Sequence, residues 1–327
     1  MKSIRSGWIL FGLPIALLAW LLTLPAWAQY PDRPIKLVIP YPPGGLTDLM
    51  ARTMQQPLSE LLGQPVVIEN RGGAAGGIGA RQVAQSKPDG YTLLLTNNGP
   101  SALLPLIQAE PGYNPVKDFA PVSLIMTAPL ALVISGTVPA KDIKGFIEYG
   151  RQQKGGVEFA TAGVGSLGHL TSELFSQKTG IPMVHVPYSG SSPAVAALLS
   201  GDVKMYLSSW SDTLAGSVKS GKLRLLGVST KEPSPVLPGT PPIATVLPDF
   251  NALLWHGIVA PAGTPEPILL KLNQALRKVL AMPEVEQRFL SFGCVATSTT
   301  PAEMGEMIAA EVPMWQAIIK ASGIKPQ

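Results

Sequence analysis

The sequence predicts an α/β protein in which parallel strands alternate with helices. Ile35 to Ile39 is a short apolar run typical of a buried strand, and Met50, Met54 and Leu58 recur behind it at helical spacing. The order of strand, glycine-rich turn and amphipathic helix returns over residues 157–179. Strands that alternate with helices in this way are typical of parallel sheets.

An export signal is predicted at the N-terminus. Lys2 and Arg5 precede an apolar stretch from Trp8 to Leu24, and residues 26–28 read Ala-Trp-Ala, a small-x-small cleavage site. We expect cleavage after Ala28 and a periplasmic mature protein. The alternative is an uncleaved membrane anchor, because the apolar stretch is near the lower length limit for a spanning helix.

Composition narrows the class of protein. The chain of 327 residues is long enough for two modest domains or one large one. Its 25 basic and 21 acidic residues nearly balance, without a basic run, which argues against nucleic acid as a partner. Cys294 is the only cysteine, so an internal disulfide and a cysteine metal cluster are both excluded. We expect Cys294 to be a small buried side chain.

The stretch from Ile39 to Asp48 joins the first strand to the first helix. Its prolines and glycines allow close approach to the backbone, and Thr47 or Asp48 fits the N-cap position. Free amides at a helix N-terminus favour a carboxylate or phosphate, although an ordinary strand–turn–helix joint is the alternative. The candidate ligand-binding residues here are Tyr41, Pro43, Gly44, Gly45, Leu46, Thr47 and Asp48.

The next segment continues the alternation. Pro57 predicts a kink or a split in the first helix, and residues 65–69 form the next strand. The glycine-rich loop at 70–79 lacks both the Gly-x-Gly-x-x-Gly and the Gly-Lys-Ser/Thr patterns, so no nucleotide cofactor is expected. A third strand, from Tyr91 to Thr96, ends at Asn97, which becomes a candidate hydrogen-bonding or turn residue at the sheet edge where ligands bind.

A second strand–turn–helix unit follows a long apolar run. Val122 to Ile134, interrupted by Pro129, is where the chain can cross into another domain. A helix over 141–153 and a strand over 157–161 precede a glycine-rich turn and a helix over 167–179. Two helix N-termini can therefore face one cleft. The candidate ligand-binding residues of this half are Ala162, Gly165, Ser166, His169, Tyr188 and Ser189.

The remaining elements complete the prediction. Ser189 to Ser192 are placed to cap a helix over 193–199, and strands follow at 203–207 and 223–228. A proline-rich segment after Ser229 is predicted to be an extended connector. A strand over 255–259 precedes three helices at 267–280, 283–292 and 302–321.

Several motifs, in the same order along the chain, resemble the Bug family of extracytoplasmic solute-binding proteins, which are related to the TctC receptors of tripartite tricarboxylate transporters. The resemblance covers essentially the whole mature chain. The motifs are Tyr-Pro-Pro-Gly-Gly-x-Thr-Asp-x-x-Ala-Arg at 41–52, Gly-Gln-Pro-Val-Val-Ile-Glu-Asn-Arg at 63–71, Pro-Asp-Gly-Tyr-Thr-Leu-Leu at 88–94, Gly-x-Gly-Ser-x-x-His-Leu at 163–170, His-x-Pro-Tyr-x-Gly at 185–190 and Trp-x-Gly-x-x-Ala-Pro-x-Gly-Thr-Pro at 255–265.

The resemblance implies a type II periplasmic binding protein fold, with two α/β domains and a ligand between them. A carboxylate would be held by backbone amides, hydroxyls and water from loops that match 41–48 and 162–169. We expect a signal peptide at 1–28, a first domain from 29–127 and 230–327, and a second domain from 128–229, with crossovers near Ile125 and Leu226. Ser189 departs from the family pattern, which commonly has lysine there.

The function implied is binding of a small metabolite without catalysis or a cofactor. The expected ligand is a mono- or dicarboxylate, followed by an aromatic carboxylate or a nicotinamide-like amide. The expected partners are membrane transporter subunits, and the alternative is a membrane sensor protein that reads the closed form. Both alternatives use hinge closure, so the sequence leaves them open.

A serine hydrolase is the competing enzymatic hypothesis. Ser166, Asp202 and His256 occur in the chain order of an α/β-hydrolase triad, but Val164 occupies the position where the nucleophile turn needs glycine. A metal site is also disfavoured, because His169, His185 and His256 are dispersed without paired ligand spacing.

Overall fold

The computed structural model describes residues 30–324, and the predicted signal peptide with its cleavage site at Ala28 lies outside them. The predicted α/β class is confirmed. The strands are β1 Ile35–Ile39, β2 Val66–Asn70, β3 Thr92–Asn97, β4 Phe119–Ser135, β5 Val157–Thr161, β6 Met183–Pro187, β7 Met205–Ser209, β8 Leu223–Val228, β9 Leu253–Pro261 and β10 Val295–Ala296. The α-helices are α1 Leu46–Leu62, α2 Gly77–Ala84, α3 Leu104–Ile107, α4 Ile143–Gln152, α5 Leu167–Thr179, α6 Ser191–Ser200, α7 Asp212–Lys219, α8 Glu266–Leu280, α9 Pro283–Ser291 and α10 Pro301–Ala321.

The strands form two groups joined by the long strand β4. In the first group β2, β1 and β3 are parallel, whereas β9 is antiparallel to both β3 and β4. In the second group β7, β5 and β6 are parallel, while β7 and β8 pair antiparallel with β4. The first part of β4, up to Pro129, pairs with β9, and the part from Leu130 pairs with β7 and β8. We refer to the two groups with their helices as the first and second lobes.

The chain passes between the lobes twice, and Ser229 ties the two passages together. The Ser229 amide donates to the Leu130 carbonyl at 2.9 Å, and the Leu130 amide donates to the Ser229 hydroxyl at 2.8 Å. The Ala252 amide, on the returning passage, donates to the Ser229 carbonyl at 3.0 Å. These bonds hold the two crossing points side by side.

Separate apolar cores hold the lobes. In the first lobe Met50 and Met54 of α1 pack with Leu37 of β1 and with helices α8 and α9, where Cys294 is buried as predicted. In the second lobe Phe146, Phe159 and Phe175 share one core. A smaller cluster bridges the lobes, with Leu103, Leu170, Ala252, Trp315, Ile318 and Ile319 among its members.

The proline-rich segment 230–252 is more than an extended connector. It contains a 3₁₀ helix at Ile243–Thr245, and its residues Ile243 and Phe250 are buried in the second-lobe core. The prediction placed this segment in the first domain. Its apolar side chains instead pack on the second lobe, because burying them there removes them from water.

Of the kink or split predicted at Pro57, the split is absent, since α1 continues from Leu46 to Leu62 through the proline. Pro57 lacks an amide hydrogen and loses one helical bond. Buried Met54 on one side and Leu58 on the other both pack on the same core, so tertiary packing keeps the helix continuous.

Residues 30–324 contain no helix that is both long and apolar enough to cross a membrane.

Candidate ligand site

The loop between β1 and α1 is anchored by Asp48. Gly45, with φ −77° and ψ 168°, is the N-cap of α1 and provides no side chain, so the predicted capping by Thr47 or Asp48 is wrong. Asp48 lies inside the first turn and is 2 % exposed. Its Oδ2 accepts from the Gly44 amide at 2.9 Å. The amide hydrogen of Gly44 is therefore bonded to Asp48 and is not available to a ligand, contrary to the role predicted for Gly44.

The Asp48 carboxylate also binds two side chains. Arg52 donates through Nε at 2.8 Å and through Nη2 at 3.1 Å, and Asn70 donates through Nδ2 at 3.0 Å. The hydrogen bond from Arg52 is the main reason that the pKa of Asp48 falls to about 2. Asp48 remains ionised, and its negative charge near the N-terminus of α1 is favourable to the helix dipole. The Asp48 side chain anchors the loop through these bonds instead of binding a ligand.

Thr47 and Asn97 both contact His256, which the prediction did not include among the ligand-binding residues. His256 Nε2 lies 3.0 Å from Thr47 Oγ1 and 3.2 Å from Asn97 Nδ2. Tyr41 completes the group, because its hydroxyl donates to Asn97 Oδ1 at 3.0 Å. The structure thus brings together Tyr41, Thr47 and Asn97, three predicted site residues from two separate segments.

The loop between β5 and α5 is held in a similar manner. Ser166 is the N-cap of α5, and its hydroxyl accepts from the His169 amide at 3.3 Å. The Ser166 hydroxyl also donates to the Gly163 carbonyl at 2.8 Å. The Gly165 amide donates to His169 Nδ1 at 3.0 Å. His169 therefore braces the loop, and the Gly165 amide is no longer free for a ligand.

His169 and His185 stack on each other, with ring centroids 3.7 Å apart and planes inclined by 14°. The two histidines are therefore separated in the sequence but adjacent in the structure. His185 Nε2 lies 2.6 Å from Thr161 Oγ1, and the Thr161 hydroxyl lies 3.2 Å from the Gly163 amide. Burial, followed by the neighbouring His185, lowers the pKa of His169 to about 4. At neutral pH His169 is a neutral acceptor behind the second loop, and burial also lowers the pKa of His185.

The β5–α5 loop approaches the first lobe at helix α3. Gly165, with φ +74°, lies so close to Ile107 of α3 that a Cβ on it would be 2.5 Å from Ile107 Cδ1. The other residues predicted to bind the ligand lie in the β1–α1 and β5–α5 loops or beside them. Pro43, Gly44, Gly45 and Ser189 are exposed, while Leu46, Ala162 and Tyr188 are half-buried.

Tyr188 and Ser189 lie beside the second loop, where the Tyr188 amide donates to the Thr161 carbonyl at 3.0 Å. The predicted serine capping of the next helix is wrong. Helix α6 begins at Ser191 and has Gly190 as its N-cap, with no side-chain cap.

The hydrolase triad does not assemble. Ser166 donates to the Gly163 carbonyl, Asp202 accepts from Ser200 at 2.6 Å, and His256 contacts Thr47 and Asn97. In the part of the chain that the structure describes, no group of three or more His, Cys, Asp or Glu side chains could hold a metal ion.

Folding stability should fall as the pH drops from 7 to 5. Burial lowers the pKa of His256 to about 3 and that of His169 to about 4, against the ordinary value of 6.5. The unfolded chain therefore binds protons below pH 6.5 that the folded chain excludes, so the stability present above pH 6.5 is lost on acidification towards pH 4. The loss is at most about 1.4 kcal/mol per pH unit for each histidine.

Urea unfolding at half-unit pH steps measures this loss. The His169→Gln variant, which lacks one of the two groups, is the control and should show a shallower pH dependence. Equal unfolding free energies at pH 7 and pH 5 in the unmodified chain would contradict the prediction.

Sequence reasoning missed His256, Thr161 and Ile107. His256 follows a strand tryptophan and was considered only as a triad member and as a disfavoured metal ligand. Its pairing opposite Asn97 depends on the antiparallel register of β9 on β3. Local patterns carry no register between strands that are more than a hundred residues apart, so only the folded sheet reveals this contact.

Comparison with known proteins agrees with the fold. Residues 50–324 match the family described as the tripartite tricarboxylate transporter family receptor. Protein BugT of Bordetella pertussis is 37% identical over 299 residues, which are 90% of this chain and 91% of BugT. An R. palustris protein solved with adipate is 33% identical, with a TM-score of 0.74, over 91% of this chain and 100% of that chain. MatC from Rhodopseudomonas palustris, solved with bound malate, is 31% identical, with a TM-score of 0.69, over 89% of this chain and 100% of that chain.

These matches confirm the resemblance and the two-lobed type II periplasmic binding protein fold. They also confirm the expectation that the protein is not an enzyme, because the family consists of periplasmic solute-binding receptors. From its match to the family over residues 50–324 and its identity to BugT, the chain belongs to the Bug and TctC family of solute-binding receptors.

Proposed function

We propose that this receptor captures a small mono- or dicarboxylate between the β1–α1 loop and the β5–α5 loop, and delivers it to the membrane subunits of a tripartite tricarboxylate-type transporter. The start of α1 carries the proposal. Within residues 30–324, the amides of Gly45, Leu46 and Thr47 donate to no protein acceptor. Free amides at the positive end of a 17-residue helix favour a carboxylate.

The side chains around these amides fit the same class of ligand. The predicted site residues include glycine, hydroxyl and amide groups, and no lysine or arginine. The nearest cation in sequence, Arg52, is paired with Asp48 at 2.8 Å. A bound carboxylate would therefore be held by hydrogen bonds and the helix dipole. The relatives solved with adipate and malate support a dicarboxylate.

The domain division follows from the same proposal. We place the hinge at Ser229 and its partners Leu130 and Ala252. The predicted division gives residues 29–127 and 230–327 to the first domain and 128–229 to the second, and we revise it by moving 230–252 to the second domain, because Ile243 and Phe250 are buried in the second-lobe core. Small-angle scattering should show compaction with saturating ligand, and an unchanged profile would argue against hinge closure.

Export is part of the proposal. Cleavage after Ala28 would release the receptor into the periplasm with Gln29 at its N-terminus. Mass spectrometry of periplasmic protein measures that terminus. Membrane-bound chains that retain Met1 would instead favour the anchor alternative.

A thermal-shift panel on refolded protein tests the ligand class. Refolding removes ligand carried through purification, and a bound ligand then raises the apparent stability by mass action. The panel contains malate, adipate, benzoate and nicotinamide. We expect malate or adipate to raise the melting temperature. A rise with nicotinamide alone would refute the carboxylate proposal.

Replacing Gly45 by proline should lower carboxylate affinity at least about tenfold. Gly45 has φ −77°, which proline adopts, so the substitution chiefly removes the amide donor. A hydrogen bond to a charged group contributes roughly 1.5–3 kcal/mol, and about 1.4 kcal/mol corresponds to tenfold in affinity. Calorimetric titration with the carboxylate that stabilises the unmodified chain measures the loss.

Gly45→Ala is the matched control, because it retains the amide, and an added Cβ would meet only the Pro42 carbonyl oxygen at 3.8 Å. We expect near-normal affinity for this variant. Equal affinity in the proline and alanine variants would mean that the Gly45 amide does not hold the ligand.

A further inference from the structure

His256 lies behind the first ligand loop and has no part in the function proposed so far. It is on β9, directly opposite Asn97 of β3, and is 3 % exposed. Its Nε2 is within hydrogen-bonding distance of two predicted ligand residues, at 3.0 Å from Thr47 Oγ1 and 3.2 Å from Asn97 Nδ2. The direction of these two bonds follows from their neighbours.

The amide of Asn97 has only one orientation. The backbone amide of Gly99 donates to Asn97 Oδ1 at 2.9 Å, and the Tyr41 hydroxyl donates to the same oxygen at 3.0 Å. A backbone N–H can only donate, so the atom that faces Gly99 must be the oxygen. Asn97 Nδ2 therefore faces His256.

The orientation of Asn97 in turn selects the histidine tautomer. Asn97 Nδ2 donates, so His256 Nε2 accepts and the imidazole proton is on Nδ1. Burial keeps the ring neutral by lowering its pKa to about 3. Within the described part of the chain Nδ1 has no hydrogen-bond partner. A buried donor without a partner is unfavourable, so this tautomer is held by the contacts at Nε2.

We propose that His256 is a positioning residue of the ligand site. The single lone pair of its Nε2 is shared by the Thr47 hydroxyl and one amide hydrogen of Asn97, which leaves the second amide hydrogen of Asn97 for a carboxylate oxygen of the ligand. This inference rests on the proposed function and narrows it. With His256 occupied as the acceptor, the first lobe offers the ligand donors from Asn97 and from the free amides of α1.

The hydrogen-bond donors of the first lobe distinguish a carboxylate ligand from a carboxamide ligand. An ionised carboxylate is acceptor-only and can take all of these hydrogens, whereas a carboxamide brings an NH₂ group that would face other donors. A site built to match hydrogen-bonding groups rejects an analogue that leaves donors unpaired. The geometry thus favours a carboxylate over a nicotinamide-like amide.

Long-range ¹H–¹⁵N NMR of histidine-labelled protein tests the tautomer without any ligand. The signals of His256 are identified by their loss in His256→Gln. We expect its proton on Nδ1, and no titration between pH 7.5 and 5.5. His169 is an internal control of the opposite kind, because the Gly165 amide donates to its Nδ1 and places its proton on Nε2. A proton on Nε2 of His256 would overturn the inference.

Two substitutions test positioning through ligand affinity. Glutamine can place an acceptor near the position of Nε2, whereas asparagine is too short to reach it. We expect His256→Gln to bind malate or adipate within about threefold of the unmodified chain, and His256→Asn to bind at least about tenfold more weakly. Far-ultraviolet circular dichroism confirms folding, and an asparagine variant that fails to fold is replaced by Thr47→Val, which removes the hydroxyl from Nε2 and should also bind more weakly.

The outcomes separate this inference from the proposed function. Full affinity in folded His256→Asn, or in Thr47→Val where that replaces it, would overturn positioning by His256. An unmodified chain that bound neither malate nor adipate would count against the proposed function, while the NMR result would still decide the tautomer.

Discussion

Replacing Gly165 by alanine is expected to weaken ligand binding at least about tenfold while the chain remains folded. Two effects combine at this position. Gly165 has φ +74°, a conformation that costs an alanine about 1–2 kcal/mol. The new Cβ would also lie 2.5 Å from Ile107 Cδ1 in the other lobe, far inside van der Waals contact. Either the Ile107 side chain turns away or the lobes move apart at this point, and both changes disturb the contact between the lobes beside the β5–α5 loop.

The same helix provides a matched control. Gly180 ends α5 with φ +69°, and a Cβ there would meet nothing within 4 Å. Gly180→Ala carries the same backbone strain without a clash, so it should lose stability and retain affinity. Calorimetric titration of both variants with the carboxylate that stabilises the unmodified chain measures the difference.

A second substitution tests the cause of the Gly165 effect. Ile107→Ala, introduced together with Gly165→Ala, removes the atom that the new Cβ would meet and should restore part of the affinity. Equal losses in Gly165→Ala and Gly180→Ala would show that backbone strain alone weakens binding, and would contradict the role assigned to the contact between the lobes.

Replacing Asp48 by alanine is expected to lower both the unfolding free energy and the ligand affinity. The carboxylate accepts from the Gly44 amide, from Asn70 and from Arg52, and it is 2 % exposed. Its loss leaves Asn70 without this partner and frees the loop that carries Gly44 to Thr47. Hydrogen bonds to a charged group contribute roughly 1.5–3 kcal/mol, so we expect destabilisation of about that size. Urea unfolding and calorimetric titration measure the two effects.

Arg52→Gln is the control for the Asp48 anchor. The Arg52 side chain is 51 % exposed, and exposed ion pairs contribute only about 0.2–1 kcal/mol. In this variant Gly44 and Asn70 can still bind the Asp48 carboxylate, so both losses should be smaller than in Asp48→Ala. An equal or larger loss of affinity in Arg52→Gln would favour direct recognition of the ligand by arginine.

The succession of elements could be predicted from the sequence because local signals specify it. The glycine-rich turn at Gly163 to Ser166 and the following apolar spacing predicted a helix at 167–179, and α5 has these bounds. The apolar run at 223–228 likewise matches β8. Period, cap and turn residues act within a few positions of one another, so they can be read without knowledge of the fold.

Local signals were misleading where distant contacts compete with them. Pro57 predicts a broken helix, but α1 remains continuous because Met54 and Leu58 are buried in one core. Thr47 is a good capping residue, yet its hydroxyl lies against His256, and the N-cap is Gly45. In both cases tertiary contacts outweigh a local preference of about 1–3 kcal/mol.

The sequence by itself determined the α/β class, the two strand–turn–helix joints and the family, since each depends on residues that are close together in the chain. Only the tertiary structure decided which distant side chain meets the first joint. The Gly44 and Gly165 amides are occupied by side chains four residues further along, Asp48 and His169, whereas the register of β9 on β3 brings His256 to Thr47 and Asn97 from more than a hundred residues away. Side-chain orientation and strand register arise from the packing of the whole sheet, which no local pattern encodes.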